Sequence, residues 1–186
     1  MASSYSADLK LELMATGEKS GLWGDITNTN LNIVQQAIAG YEEVSIAGGA
    51  QTTALVFSNG LVSNGKNAVI KFIGTITGNQ VVTIPDSIEK TYTIINGTTG
   101  AFTVEFKTVS GTGFTFAAAD KGTRLAYADG TNVVDVNAAF TTISQFTLPT
   151  ADGTADQALI TDASGNLSFS GPFATNGKAI AFAIVF

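Results

Sequence analysis

Short apolar runs that alternate with polar positions, each closed by Gly or Asn, fill residues 44–136. The runs at 53–57, 68–77, 80–84, 91–95, 102–108, 113–117, 124–128 and 133–136 recur at roughly the 8–12-residue spacing of a sandwich or barrel. They are rich in Val, Ile, Phe, Tyr and Thr, the side chains that suit a pleated, half-buried surface. The connectors Ser58-Asn59-Gly60, Ser63-Asn64-Gly65, Thr77-Gly78-Asn79, Ile95-Asn96-Gly97 and Ala128-Asp129-Gly130 carry the residues that tight hairpins demand, with positive φ expected at Gly65, Gly97 and Gly130. The pattern predicts an all-β fold with a β-sandwich or jelly-roll-like domain. Lys71, Glu105 and Lys107 alternate with Ile70, Phe72, Val104 and Phe106, which predicts one wet and one dry face and hence two packed layers.

On the N-terminal side, Leu9, Leu11 and Leu13 alternate with Lys10 and Glu12, the period of a short extended segment with one apolar edge and nothing of its own to pair with. Residues 16–25 read as a Gly loop holding Trp23, the only tryptophan, which either anchors that loop in a hydrophobic pocket or stacks on a ligand. A short helix is predicted from Thr27 or Asn28, capped by one of them and stopped by Gly40. Leu31, Val34, Ala37 (or Ile38) and Tyr41 would share one face, with Asn32, Gln35 and Gln36 opposite. At three to four turns such a helix needs a surface to dock on, either its own β domain or a symmetry axis where Leu31, Val34 and Ile38 meet their own copies.

After the β domain, residues 137–148 read as a short helix or irregular connector. A small hairpin follows, with 158–161 and 167–169 flanking an Ala-Ser-Gly-Asn turn. The last run is apolar to Phe186, with Ile180, Phe182, Ile184 and Phe186 at alternate positions, and an exposed strand of this kind requires a cover, which points to oligomerisation. Three regions result: an attachment segment with a short helix at 1–43, a β-sandwich at 44–136, and a connector with a C-terminal β or oligomerisation segment at 137–186.

Composition narrows the chemistry. The 186 residues carry 9 Lys and Arg against 15 Asp and Glu, a net charge of −6, which argues against nucleic acid and anionic membranes as partners. Charged residues make up only 13%, so the surface is built from hydroxyls, amides and backbone, which suits packing against copies of itself. Without Cys or His there are no disulfides, thiolate or histidine catalysts, or Cys/His zinc sites. Asp152, Asp156 and Asp162 do not follow a calcium-loop spacing, and the Gly-rich runs 96–100 and 110–113 lack the Lys-Ser/Thr of a phosphate loop, so no cofactor is expected. With no secretory signal and no stretch of membrane-spanning length, the chain is expected to be made in the cytoplasm, soluble and not inserted in a membrane.

Three stretches resemble the structural tail proteins of tailed bacteriophages. The first is Leu11-Glu12-Leu13-Met14-Ala15-Thr16-Gly17 leading through Trp23-Gly24 to Thr27-Asn28-Thr29-Asn30-Leu31. The second joins Ile94-Ile95-Asn96-Gly97-Thr98-Thr99-Gly100 to Ala128-Asp129-Gly130-Thr131-Asn132-Val133-Val134. The third runs from Leu148-Pro149-Thr150-Ala151-Asp152-Gly153 to Thr161-Asp162-Ala163-Ser164-Gly165-Asn166-Leu167-Ser168-Phe169. The resemblance implies a non-enzymatic virion component, a tail fibre or its virion-proximal part. It also implies a homotrimer whose N-terminal part docks to other tail proteins.

The residues that would carry docking are Leu9, Leu11, Leu13, Trp23, Leu31, Val34 and Ile38. A capsid decoration protein is a second structural reading. A glycan-binding module or depolymerase is the alternative from another class, with host surface glycan as partner, Trp23, Tyr92 and Tyr127 as stacking platforms, and a facing pair of carboxylates as the requirement for cleavage.

Overall fold

The computed structural model describes residues 3–136, 142–143, 146–149, 151, 153–155 and 157–171. The chain is mostly β and divides into two compact units, Met1–Asn137 and Ala138–Phe186. In the first, Ser4–Tyr5 (β1) pairs antiparallel with Glu12–Leu13 (β2), and a helix, α1, spans Trp23–Ala39. Then come Tyr41–Ser45 (β3), Gln51–Ala54 (β4), Val69–Thr75 (β5), Gln80–Ile84 (β6), Glu89–Thr99 (β7), Val104–Thr108 (β8), Gly113–Phe116 (β9), Thr123–Asp129 (β10) and Val133–Asp135 (β11). They make a five-stranded sheet, β11-β10-β7-β5-β3, and a four-stranded sheet, β4-β6-β8-β9.

The predicted two-layer packing with one dry face is present. Ile70, Phe72, Val104 and Phe106 are fully buried, whereas Lys71, Glu105 and Lys107 are not. The core draws Val44, Phe72, Tyr92, Ile94 and Ala126 from the larger sheet and Val82, Ile84, Phe106 and Phe116 from the smaller. The Phe106 ring lies 6.0 Å from Phe72, 5.7 Å from Tyr92 and 5.9 Å from Phe114, so it joins the two layers at their centre.

Connectivity differs from the expected hairpins. The β3/β5, β5/β7, β4/β6 and β6/β8 pairs are all parallel, and the chain crosses from one sheet to the other after each of β3 to β7. The result is a flattened coil of three rungs, where a jelly roll would pair its strands antiparallel. From the second rung to the third the register runs from 69 to 93 and from 80 to 104, 24 positions in each sheet. The winding ends at the β8/β9 hairpin. After it, β10 returns antiparallel to β7, and β11 pairs with β10.

The punctuating residues therefore take several roles. Ala128-Asp129-Gly130 is a hairpin turn as expected, with Gly130 at φ +86 and Asp129 Oδ1 accepting from Thr131 and Asn132 N–H. Ile95-Asn96-Gly97 lies inside β7 and Gly65 in a 3-10 turn at Asn64–Lys66, and neither Gly97 nor Gly65 has positive φ. Gly97 is small for a packing reason: a Cβ there would press on the Lys71 side chain and come within 3.1 Å of the Phe72 carbonyl. Inward-facing Asn96 is satisfied in the core, its Oδ1 accepting from Thr98 and its Nδ2 donating to Asp120 O at 2.7 Å.

Helix α1 starts four residues before the expected Thr27. Its N-cap position, Leu22, offers no side-chain acceptor. Thr27 and Thr29 instead donate back to Trp23 O and Asp25 O, which places these hydroxyls inside the helix rather than at its cap. The stop at Gly40 is as expected, with its N–H on Gln36 O. Tyr41, expected on the helix face, opens β3.

The alternating leucines do not form one extended strand. Leu9 sits in a turn, Lys10 has φ +55, and only Glu12 and Leu13 are in β2, paired with the chain's own Ser4 and Tyr5. This segment is fastened to the rest of the unit. Asn30 holds Glu12 through both Oδ1 (3.0 Å from Glu12 N) and Nδ2 (2.9 Å from Glu12 O), Lys10 O accepts from Gly60 N, and Asp8 Oδ1 accepts from Glu89 N.

In the second unit, Thr142–Ile143 (β12) pairs with Phe146–Thr147 (β13), a strand pair where a helix or connector was expected. Leu159–Thr161 (β14) pairs with Leu167–Phe169 (β15), the expected hairpin. Asp162 closes its turn, accepting from Ser164 N, Asn166 N and Asn166 Nδ2.

Candidate functional site

Helix α1 has two apolar faces. Ile26, Asn30, Ile33 and Ala37 fall within about 60° of one another at 100° per residue, and this face turns inward, with Ile33 fully buried. Trp23, Thr27, Leu31, Val34 and Ile38 share a second arc of about 80°. On it Trp23 is 66%, Leu31 60% and Ile38 74% exposed, and Val34 is partly buried. Trp23 thus occupies the first helical turn in the open, not a loop anchored in a pocket of its own chain. Ile33, the residue that fixes the helix to its unit, was missed by the sequence reading because attention to Leu31, Val34 and Ile38 put the buried face one residue out of phase.

Leu31, Val34 and Ile38 are brought together, but Leu9 and Leu11 are half-buried and Leu13 lies on the short β2 strand. Asp152 and Asp156 and the proposed oligomerisation residues Ile180, Phe182, Ile184 and Phe186 lie outside the described residues. The three aromatics considered for glycan stacking do not converge. Trp23 is on the helix and Tyr127 is exposed on β10. Tyr92 is buried in the core with its OH donating to Gly65 O. A shallow depression of about 410 Å³ is lined by the amides Asn32, Gln35, Gln36 and Asn67 with Tyr41 and Val62.

Several carboxylates are engaged in structure. Asp86 accepts from Ser110 N and Oγ, Glu43 pairs with Lys71 at 2.9 Å, and Asp120 and Asp135 both pair with Arg124. Every described carboxyl whose pKa departs from its ordinary value departs downward. Hydrogen bonds from Ser110 hold Asp86 low, and the Arg124 guanidinium holds Asp120 low. Such groups stay ionised at neutral pH and have no proton to give as general acids. Among the described residues no group of three or more acidic side chains is placed to hold a metal ion.

Two buried lysines are features the sequence pattern hides, because Lys usually marks a wet face. Lys66 is fully buried and donates to Ser58 O and Leu61 O, both at 2.6 Å. Lys90 donates to Asn67 O at 2.8 Å and lies 4.1 Å from the Tyr92 ring centre. Together they tie the 58–67 loop to the core. Burial pushes each pKa down to about 8.

An unfolded lysine titrates near 10.4, so between those values the unfolded chain holds more protons, and stability rises as pH is raised through this window. The unfolding free energy from urea titration should therefore increase from pH 7 to pH 10, by about 2 kcal/mol in all after allowance for the carbonyl acceptors. In Lys90→Met the increase should shrink by about half. A rise unchanged in that variant would assign it to other groups.

Comparison of the chain with protein-family models, curated proteins and solved structures finds no match.

Proposed function

We propose that this protein is a non-enzymatic structural component of a phage particle, a tail fibre or its virion-proximal part, acting as a homotrimer. The observation that carries the reading is the exposed apolar arc of α1, on a domain where Asp86, Asp120, Asp129 and Asp135 are engaged in turns and ion pairs. That combination suits a part that is assembled with others rather than one that turns over a substrate. The resemblance of the Leu11–Gly17, Trp23-Gly24 and Thr27–Leu31 stretch to tail proteins points to the same end of the chain.

Trp23 is the proposed anchor. Because it is exposed, Trp23→Ala should move the melting temperature of the isolated protein by no more than a degree or two, the effect of about 0.5 kcal/mol. Incorporation into particles should fall tenfold or more, since a large aromatic at an interface centre contributes about 2 kcal/mol. Quantifying the protein in purified particles checks this, and normal incorporation would refute the docking role. Gold-labelled antibody should mark the tail, whereas label on the head would favour capsid decoration. Hydrolysis of host surface polysaccharide by the purified chain would overturn the structural reading.

A further inference from the structure

We infer that the stretch of the exposed arc from Thr27 to Ile38 is the three-fold seam of the homotrimer, with three copies of the helix packed parallel and in register and Trp23 left at its open end. This rests on the homotrimer reading above and names the surface that makes it. Thr27, Leu31, Val34 and Ile38 are spaced four, three and four residues apart, the 3.5-residue average that keeps one seam facing its partners along a helix. In that heptad phase Leu31 and Ile38 take the first core position and Thr27 and Val34 the second. Leu followed by a β-branched residue in these positions disfavours two-stranded packing and favours higher association.

The occupant is argued from charge as well as from spacing. The whole chain carries −6, so its copies repel one another, yet α1 holds a single ionisable residue, Asp25, in its first turn. The seam is flanked by the amides Asn28 and Gln35. A partner recognised by charge would find nothing to pair with here, whereas identical neutral faces meet without repulsion and amides can hydrogen-bond to their symmetry mates. The exposed parts of Leu31 and Ile38 make a narrow stripe, well short of the roughly 800 Å² per partner that a stable pair buries. A three-fold arrangement gives each helix two neighbours and makes fuller use of so narrow a stripe.

The test uses the full chain. Sedimentation at about 50 µM, a range in which weak assembly registers, should give a trimer for the unaltered protein. It should give a monomer with an unchanged far-ultraviolet circular dichroism spectrum for Leu31→Asp combined with Ile38→Asp, both being exposed positions. The natural absence of cysteine allows a second readout. Ile38→Cys should form inter-chain disulfides at least tenfold faster than Asn32→Cys, which faces away from the seam.

A trimer that survives the double substitution, or equal cross-linking at the two sites, overturns the seam and leaves the homotrimer standing. A dimer or tetramer abolished by the double substitution overturns the three-fold count. A monomeric unaltered chain overturns the seam and the homotrimer together.

Discussion

Phe106→Ala should destabilise the first unit by about 4 kcal/mol, the upper part of the range for emptying a large aromatic from a core. Phe106 has no solvent exposure, and its ring meets Phe72 and Tyr92 from the opposite sheet and Phe114 from its own. Removing it opens a cavity at the point where both layers converge, and a strand held in register by a parallel neighbour on one side and an antiparallel one on the other has little freedom to close it. Domains of this size are stable by about 5–15 kcal/mol, so the variant should sit at or near its unfolding midpoint in mild urea. Chemical denaturation followed by circular dichroism measures this. A loss under about 1 kcal/mol would mean that the sheets relax onto one another and that Phe106 is not the central contact.

Arg124→Ala should cost about 3 kcal/mol, at the lower end of the range for breaking a buried pair because the guanidinium keeps some solvent contact. The only arginine of the chain spans Asp120, at 2.6 Å, and the well-buried Asp135. It also lies 5.6 Å and 5.1 Å from the ring centres of Phe114 and Phe116, closing the core beside β9. Arg124→Lys should recover less than half, since one ammonium cannot fork to two carboxylates.

The pH dependence gives the second arm. Arg124 depresses the Asp120 pKa in the folded state, so the stability it confers is present above the unfolded value near 3.9 and is lost as pH falls through the folded one. In Arg124→Ala this part of the acid sensitivity should vanish. Urea midpoints at pH 7 and pH 3 decide it, and an unchanged difference between them would show that the pair does not contribute.

Strand positions were legible because alternation survives in any half-buried strand, whatever its partner. Ile70 and Phe72 face in and Lys71 faces out both in a hairpin and in the observed parallel rung. Pairing was not legible for the same reason. Gly78 and Asn79 mark a change of direction, and nothing local distinguishes a hairpin turn from a corner that sends the chain to the other sheet.

Asn96-Gly97 misled in another way, since a buried amide with all its partners inside the fold looks in sequence like a turn residue. At the candidate site, helical periodicity put Leu31, Val34 and Ile38 on one face in advance, together with Tyr41, which belongs to β3. The start of the helix was concealed by Gly24, a poor helix former, and by threonines that serve as caps elsewhere and bond backwards here. Lys66 and Lys90 could not have been foreseen, because their acceptors are main-chain carbonyls, which leave no trace in side-chain patterns.

The equal 24-position step from the second rung to the third, the same in both sheets, makes that part of the domain modular in length. An even number of residues separates equivalent sites, so a tandem copy of residues 69–92 would leave every inward side chain inward and every neighbouring strand in its present register. Each such insertion adds one strand to each layer and extends the stack by a strand spacing of about 4.8 Å, while the hairpin cap moves along unchanged. A coil of this kind can therefore gain length in whole turns, through duplication of one stretch of its own sequence, with only the strand pairings it already has.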